Sequence, residues 1–178
     1  MTEHQFAAAM ERLSAGDLDA WHQLYVGYAP AVYAVALSVT GRAADAEDVV
    51  ADVFLRIRQQ ASAYRPQGRH RAWLSAITRH AALDLLRRQS RSCPVETPPE
   101  TAGAHTEEAT VCDRLTLEQA LLALPPEQRQ VVALHVISDL PFREVARLLE
   151  KPMGTVTWQY RAAMKTLRTV LDDSMRKE

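Results

Sequence analysis

The chain has 178 residues, of which 47% are hydrophobic, 6% aromatic and 24% charged, and its formal net charge is −1. This length suits one domain or two small ones, and the frequent Ala, Leu, Arg and Glu favour helices over sheets. No apolar run approaches the ~20 residues of a membrane-spanning helix and no export signal is evident, so we expect a cytoplasmic protein without membrane insertion.

The charges are segregated along the chain. Residues 1–55 contain two Arg against eight acidic residues, residues 56–91 nine Arg against one Asp, and residues 92–113 five acidic residues and no basic one. A basic block bounded by acidic ones is typical of a nucleic-acid-binding surface. A solvated, charged helix face would have the same composition, so charge alone does not decide between the two.

Two helices are predicted in the acidic first part of the chain. The first has apolar residues at helical spacing between Asp17, a suitable N-cap, and Gly41, which closes it. Pro30 lies inside this helix and is expected to kink or split it, because proline removes a backbone donor. The second helix is expected to begin near Asp45, with Asp48 three residues later as an imperfect capping box.

A third helix and a linker follow. Residues 64–68 combine Pro and Gly in a break, and a helix with a strip of apolar residues and several Arg is predicted over residues 70–88. Over residues 92–112 the periodicity disappears, and the stretch is rich in Pro, Thr, Glu and Ala. Such a composition cannot form a core, so we predict a flexible linker between two domains.

The last part of the chain has the pattern of a helix-turn-helix. A short Leu-rich helix ends at Pro125, and Pro126 can open the next helix. A helix over residues 142–149, a turn over residues 150–154 and a longer helix from Thr155 follow. Two helices joined by a short turn, the second carrying Arg and Lys, are typical of proteins that read duplex DNA.

Four stretches, in this order, resemble one known family. They are DAEDVVADVFLRI, RAWLSAITRHAALDLLRR, ALPPEQRQVVALHVISDLPFREVARLL and PMGTVTWQYRAAMKTLR. Together they resemble the two conserved domains of the extracytoplasmic-function (ECF) group of bacterial RNA polymerase sigma factors. The resemblance implies an all-α protein with an N-terminal domain over residues 1–91, a flexible linker over residues 92–112 and a C-terminal helix-turn-helix domain over residues 113–178.

The resemblance also implies a function and partners. Such a factor binds core RNA polymerase, recognises the −10 and −35 elements of promoter DNA, and helps open the DNA without being an enzyme. A further partner that it implies is an anti-sigma factor, which holds the protein inactive.

The first domain is implied to bind both the polymerase clamp and the −10 element. Asp48, Asp52 and Phe54 match the clamp-binding helix, although Phe54 suits core packing equally well. Capture of a displaced strand needs cations for phosphate and flat groups for bases. Trp73 is such a flat group, but its apolar register favours the core. The residues assigned to −10 DNA are Tyr64, Arg65, Arg69, His70, Arg71, Arg79, His80, Arg87 and Arg88.

The second domain is implied to bind the −35 element as duplex DNA. Side chains on the first turns of a recognition helix can reach base edges in the major groove, whereas Val156 and Met164 are expected on its buried side. Lys165 and Arg168 are expected to contact phosphates. The residues assigned to −35 DNA are Arg143, Thr155, Thr157, Trp158, Arg161, Lys165 and Arg168.

Five positions depart from the family's pattern. Ala51 stands where Gln is common, His70 where an aromatic residue is usual and His80 where Asn is common. Pro141 replaces a capping Ser, and Glu150 replaces a Gly in the helix-turn-helix turn. A left-handed conformation at Glu150 would cost on the order of 1 kcal/mol.

Two other readings of the sequence are compatible with part of these features. A helix-turn-helix regulator that is not a polymerase subunit would use the first domain to dimerise on a palindrome. A protein of sigma ancestry could act as a decoy, as the departures at residues 51, 70 and 80 allow.

An enzyme is disfavoured. The six His are scattered, and no Gly-rich phosphate loop, Cys-His or Ser-His-Asp grouping is present. The spacing of Cys93 and Cys112 fits neither a disulfide framework nor a zinc site. We therefore expect no catalytic residue, metal or cofactor.

Overall fold

The computed structural model of the protein describes residues 1–92 and 117–175. All regular structure within these two ranges is helical, as the sequence predicts. The helices are α1 (Glu3–Ser14), α2 (Leu18–Thr40), α3 (Ala43–Gln60), α4 (His70–Ser92), α5 (117–122), α6 (Pro126–Val132), α7 (Phe142–Leu149) and α8 (Met153–Met175). A 3₁₀ turn at Ala61–Ala63 follows α3, and a π-helical turn at Ala133–Ile137 continues α6. Most of the predicted linker lies outside the described residues, so the domain boundaries stay a prediction.

Helix α1 was not predicted, although its start has a recognisable signature. The Thr2 side chain accepts a hydrogen bond from the Gln5 backbone at 3.3 Å, and the Gln5 side chain accepts one from the Thr2 backbone at 2.9 Å. These reciprocal bonds form a capping box. Phe6, Met10 and Leu13 follow at helical spacing and are buried. Their burial holds α1 against the rest of the N-terminal helices.

Helix α2 confirms the predicted ends but not the predicted interruption. The Asp17 carboxylate accepts from the backbone of Asp19 at 2.9 Å and of Ala20 at 3.2 Å, and Gly41 caps the other end in the left-handed conformation at φ 72. The helix continues through Pro30, so of the two predicted effects the split was wrong, and the kink stays a prediction. Apolar side chains on both sides of Pro30 are buried in the core, and this packing outweighs the local cost of about 3 kcal/mol for an internal proline.

Helix α3 begins at Ala43, two residues before the predicted start, and its N-cap Arg42 makes no side-chain cap bond. Asp45 therefore lies in the first turn of the helix, and the capping box predicted for it was wrong. Its carboxylate is buried and accepts a hydrogen bond from the Gln89 side chain on α4 at 2.9 Å. A buried carboxylate needs such a partner, and this one joins α3 to α4.

Two apolar clusters form the interior. The larger one joins α1–α4 and includes Phe6, Leu24, Leu37 and Phe54. The smaller one lies among the C-terminal helices, but it also contains Val35 of α2. Helix α2 therefore contributes to both clusters, and the two domains are in contact along it.

Polar contacts also cross between the two domains. The Tyr33 hydroxyl donates to Glu118 at 2.5 Å, and the guanidinium of Arg71 lies 2.7 Å from the carboxylate of Asp139. The guanidinium of Arg69 lies 3.6 Å from Glu144. Both of these arginines belong to the predicted DNA-binding block.

The C-terminal helices follow the predicted order with small shifts. Pro126 occupies the first turn of α6, as predicted, but Val136, four residues after the buried Val132, is 52% exposed. The five-residue π turn changes the angular register at this point, which explains the difference. Helix α7 has the predicted bounds, and α8 begins at Met153, two residues earlier than predicted.

Candidate nucleic-acid interface

Residues 64–70 join the 3₁₀ turn to α4 and form one wall of an open cleft of about 490 Å³. Arg65 and Arg69 supply two cations to its lining, and Tyr64 and Trp73 supply two rings whose centroids lie 5.0 Å apart. Cations placed beside aromatic rings are the combination that holds a single nucleic-acid strand, because one group neutralises phosphate and the other stacks on a base. The cleft is therefore the strongest candidate site in the described part of the chain.

The rings of the cleft are held from behind by an aromatic cluster. Phe6 of α1 lies edge-on to Tyr64 at 5.4 Å and to Trp73 at 6.1 Å between centroids. Burial raises the pKa of the Tyr64 phenol well above its usual value, and the neighbouring Glu3 carboxylate raises it further. The hydroxyl is therefore neutral at physiological pH and acts as a hydrogen-bond donor. Trp73, expected in the core from its register, packs against the core and also lines the cleft.

His70 is not among the residues that line the cleft, and its assignment to −10 DNA stays a prediction. Its side chain is buried, with the residue only 6% exposed. Its ring stacks on Phe6 at 4.9 Å, and Nδ1 hydrogen-bonds to the Glu3 carboxylate. A ring enclosed in this way cannot stack on a DNA base without leaving the cluster, so its role in this arrangement is to support the loop.

The remaining cations assigned to −10 DNA extend along α4. Arg71 and Arg79 are partly buried, and His80, Arg87 and Arg88 are exposed. Arg87 is paired with Asp84 of the same helix at 3.1 Å, while Arg71 is paired with Asp139 of the C-terminal domain. These residues point to more than one side of α4, and part of their charge is balanced by carboxylates in this arrangement.

The predicted helix-turn-helix is present in α7 and α8. Val145 of α7 and Val156 of α8 are fully buried and lie in the same apolar cluster, and Met164 is partly buried against the larger cluster. The connecting turn contains Glu150 at φ 53, so the left-handed conformation considered from the sequence is confirmed. The capping position of α7 is Pro141, whose carbonyl accepts backbone hydrogen bonds in place of a side-chain cap.

The outward face of α8 carries most of the residues assigned to −35 DNA. The exposed members of this set, including one on α7, are Arg143, Thr155, Trp158, Arg161, Lys165 and Arg168. Trp158 is 65% exposed, an unusual position for so large an apolar group unless a partner covers it. The Thr157 hydroxyl donates to backbone carbonyls of Met153 and Gly154. Its proton is used within the helix, and only its acceptor capacity is left for DNA.

The outer face of α3 combines acidic and apolar groups. Asp48 is exposed and Asp52 partly so, and Asp52 is paired with Arg56 at 2.7 Å. Leu55, 56% exposed, lies on the same face, because residues seven apart fall on one side of a helix. Phe54 is 1% exposed and packs against Tyr25 at 4.8 Å. Of the two roles left open for Phe54, the structure shows core packing, and its assignment to polymerase binding stays a prediction.

Comparison with known proteins decides the family. The family model described as Sigma-70 region 2 matches residues 24–92, and the model described as Sigma-70, region 4 matches residues 114–167. The ECF RNA polymerase sigma factor BldN of Streptomyces coelicolor is 33% identical over 93% of this chain. This chain belongs to the ECF group of sigma factors. It spans 66% of the length of BldN and 62% of the length of the ECF sigma factor SigE of Mycolicibacterium smegmatis, which is 32% identical over 86% of this chain.

A solved structure shows the same fold. The sigma factor RpoE from Bartonella quintana, determined in complex with the anti-sigma factor NepR, superposes with a TM-score of 0.65 and is 23% identical. The alignment covers 85% of this sigma factor and 96% of RpoE. The all-α architecture with two sigma-factor domains is therefore shared.

The family positions at which this sigma factor departs now have structural contexts. Ala51 and His80 are exposed, so neither departure disturbs the core. His70 is buried beneath the cleft, where its ring stacks on Phe6. Glu150 is exposed in the left-handed turn.

Some supporting residues were missed by the sequence reasoning. Phe6 and Glu3 of α1 contact the cleft loop from behind, and the capping box at Thr2 was the signal that could have found their helix. Leu55 adds exposed apolar surface on the side of α3 that carries Asp48, and its exposure follows from tertiary packing that periodicity does not give. Within the described residues, no group of side chains is arranged to hold a metal ion, and no helix there has the length and apolarity that crossing a membrane requires.

Proposed function

We propose that this sigma factor binds core RNA polymerase and directs promoter-specific initiation of transcription. The observation that carries the proposal is the presence, in one chain, of an Arg- and aromatic-lined cleft in region 2 and a separate helix-turn-helix in region 4. The first suits an unpaired strand and the second suits duplex DNA. A helix-turn-helix regulator that acts without polymerase has no use for a strand-binding cleft, so the family membership and the cleft both favour the sigma role.

Region 2 is proposed to bind and help open the −10 element. The cleft takes an unpaired base against the ring pair of Tyr64 and Trp73, with Arg65 and Arg69 on the adjacent phosphates. The other proposed phosphate contacts along α4 are Arg71, Arg79, His80, Arg87 and Arg88. Strand separation is driven by tighter binding of the open DNA than of the closed DNA. The protein is proposed to act by binding alone, without catalysis or a cofactor.

Region 4 is proposed to bind the −35 element with α8 in the major groove. Trp158 and Arg161 lie on the exposed side of its first turns, where recognition-helix side chains reach base edges. Thr155 and Thr157 are proposed base contacts beside them. The proposed phosphate contacts are Arg143, Lys165 and Arg168.

The outer face of α3 is proposed to bind the core polymerase. Asp48 and Asp52 provide negative charge, and the exposed Leu55 provides apolar area next to them. Complementary charge gives such an interface its orientation and its rate of association, and the apolar side chain contributes burial. A polymerase surface with basic groups around an apolar patch is the expected counterpart.

An anti-sigma factor is a further proposed partner. The Bartonella quintana RpoE was determined with the anti-sigma factor NepR bound to it, and this sigma factor shares its fold. This sigma factor is proposed to act in the cytoplasm, where polymerase and DNA are found.

The experiment that tests the function is run-off transcription from fragmented host genomic DNA with sigma-free core polymerase. The expected result is a set of discrete transcripts that appear only when the purified protein is added and share a two-part upstream motif. Absence of transcripts together with a stable complex with core polymerase would favour a decoy. Absence of both would favour a regulator that acts without polymerase.

Two substitutions then separate the roles of the regions. Arg65→Ala should weaken binding to a fragment with a single-stranded −10 region and leave duplex −35 binding unchanged. Arg161→Ala should do the opposite, so each variant is the matched control for the other. Loss of an Arg that contacts a base costs about 1–3 kcal/mol of binding free energy. Loss of a phosphate contact instead lowers the slope of log affinity against log salt concentration by about one. Equal effects of both variants on both fragments would contradict the division of roles.

A further inference from the structure

Helix α1 precedes the region 2 match, which begins at residue 24, yet one of its side chains contacts both ends of the cleft loop. The Tyr64 hydroxyl, at the start of the loop, donates to Glu3 Oε1 at 3.2 Å. The His70 backbone N–H, at the end of the loop, donates to Glu3 Oε2 at 2.9 Å, and His70 Nδ1 hydrogen-bonds to the same oxygen. A single carboxylate therefore ties together the two ends of residues 64–70.

The surroundings favour an ionised Glu3. Partial burial raises the pKa of this carboxyl, but hydrogen bonds from the His70 backbone and side chain, the charge of His70 and the Tyr64 hydroxyl together lower it below its ordinary value of 4.5. His70 is the first residue of α4, so the carboxylate also lies at the positive end of a helix dipole. Hydrogen bonds to an ionised acceptor are about twice as strong as neutral ones.

A second residue of α1 fixes the same loop by packing. Phe6 lies three residues after Glu3, on the same side of the helix. It stacks on His70 and lies edge-on to Tyr64 and Trp73. The inner side of the loop is thus fully engaged by α1, whereas its outer side, with Arg65 and Arg69, lines the cleft.

Apart from these contacts and the ion pair of Arg69 with Glu144 at 3.6 Å, the loop has few other means of holding its shape. Within it, Arg65 donates to the backbone carbonyls of Ser62 and Tyr64, and Gly68 adopts a left-handed φ of 70. A short segment with a left-handed glycine has many alternative paths once its ends are free. Fixing the two ends therefore limits where Arg65 and Arg69 can lie.

We propose that Glu3 is a positioning residue for capture of the −10 strand. It touches no DNA itself; it holds Tyr64 and the first turn of α4 so that the cleft between them is formed before DNA arrives. A preformed site loses less conformational entropy on binding than a loop that orders afterwards. This inference rests on the proposed function of the cleft in strand binding.

The test compares three variants as holoenzymes reconstituted with core polymerase. Glu3→Ala removes all three hydrogen bonds, and Glu3→Gln keeps an amide oxygen but removes the charge. Glu11→Ala is the matched control, because Glu11 is exposed on the same helix. Two probes are taken from a promoter found by run-off transcription: a fork fragment whose −10 region is single-stranded, and a duplex with the −35 element alone.

The expected result is selective. Glu3→Ala should weaken fork-fragment binding about tenfold, the scale of losing hydrogen bonds to a charged group, and should leave duplex −35 binding and core association unchanged. Glu3→Gln should lose about threefold, because its amide oxygen accepts more weakly than a carboxylate. Glu11→Ala should match the parent protein on both probes.

Each other outcome overturns the inference in a distinguishable way. Unchanged fork binding by Glu3→Ala, with the parent protein binding normally, removes the role of Glu3 and leaves the proposed function intact. If Glu3→Ala loses equal affinity for both probes, or if Glu3→Ala and Glu3→Gln both lose association with core polymerase, Glu3 has a general role in folding. Failure of the parent holoenzyme to bind the fork fragment rejects the proposed function and the inference together.

Discussion

The ion pair between Arg71 and Asp139 predicts that the C-terminal domain competes with DNA for the basic block. The guanidinium and the carboxylate are 2.7 Å apart, and their side chains are 37% and 79% exposed. Asp139→Asn removes the charge of the acidic partner. Its φ is 55, a conformation that Asn tolerates well, so the substitution leaves the backbone undisturbed.

The magnitude follows from the exposure of the pair. An exposed ion pair contributes about 0.2–1 kcal/mol, and 1.4 kcal/mol corresponds to a tenfold change in affinity. Freed from Asp139, Arg71 should therefore raise affinity for single-stranded −10 DNA by between about 1.4-fold and fivefold at low salt. The gain should shrink as salt rises, because the pair is screened within a Debye length of about 8–10 Å.

The assay is titration of a fluorescent −10 oligonucleotide with the free sigma factor at several salt concentrations. Glu11→Gln is the control, because it removes one exposed acidic charge far along the chain from Asp139 and so reports the effect of net charge alone. An affinity gain equal to that of the control, or no gain at low salt, would refute the competition between the domains.

Three further predictions concern stability and pH. Glu150→Gly should raise stability by up to about 1 kcal/mol, because the residue is exposed with φ 53 and glycine relieves the left-handed strain; calorimetry that shows a lower midpoint would contradict it. Gly41→Ala should lower the midpoint by about 2–4 °C, because φ is 72 and the added Cβ would lie 3.3 Å from the Arg129 guanidinium. Acid should loosen the cleft loop: the lowered pKa of Glu3 means that its stabilisation is present above pH 4.5 and is lost as the pH falls through the lower folded value. Trp and Tyr fluorescence of the parent and Glu3→Gln proteins should differ above pH 4.5 and converge only as the pH falls below the lowered folded pKa of Glu3.

Much of the fold could be predicted because the helices obey local rules. The N-cap at Asp17, the closing glycine at Gly41 and the helix at residues 142–149 are determined by nearby residues, and the structure confirms all three. Pro30 shows the limit of local rules: its cost is real, but long-range packing of the flanking apolar side chains outweighs it. The start of α3 differs for a similar reason, since Asp45 pairs with Gln89 of another helix instead of capping its own.

The candidate site was less predictable, because exposure depends on tertiary packing. Arg65 and Arg69 could be placed in a basic loop from composition, and they do line the cleft. His70 and Phe54 have residue types that suit a binding surface, but neighbouring helices cover them. The sequence pattern shows which side chains share one face of a helix. It does not show which other helix packs against that face and buries them.

Under the proposed function, the same arginines have two sets of acceptors, the carboxylates of the C-terminal domain and the phosphates of the −10 strand, and their geometry suggests an order of events. Arg69 and Arg71 are held by Glu144 and Asp139 of the C-terminal domain, whereas Arg65 donates only to carbonyls of its own loop among the contacts described. Arg65 is therefore free to meet phosphate while the domains are in contact, and the other two must exchange carboxylate for phosphate. Strand capture should begin at Arg65 and be completed when the C-terminal domain moves away, which couples occupancy of the cleft to release of the helix-turn-helix.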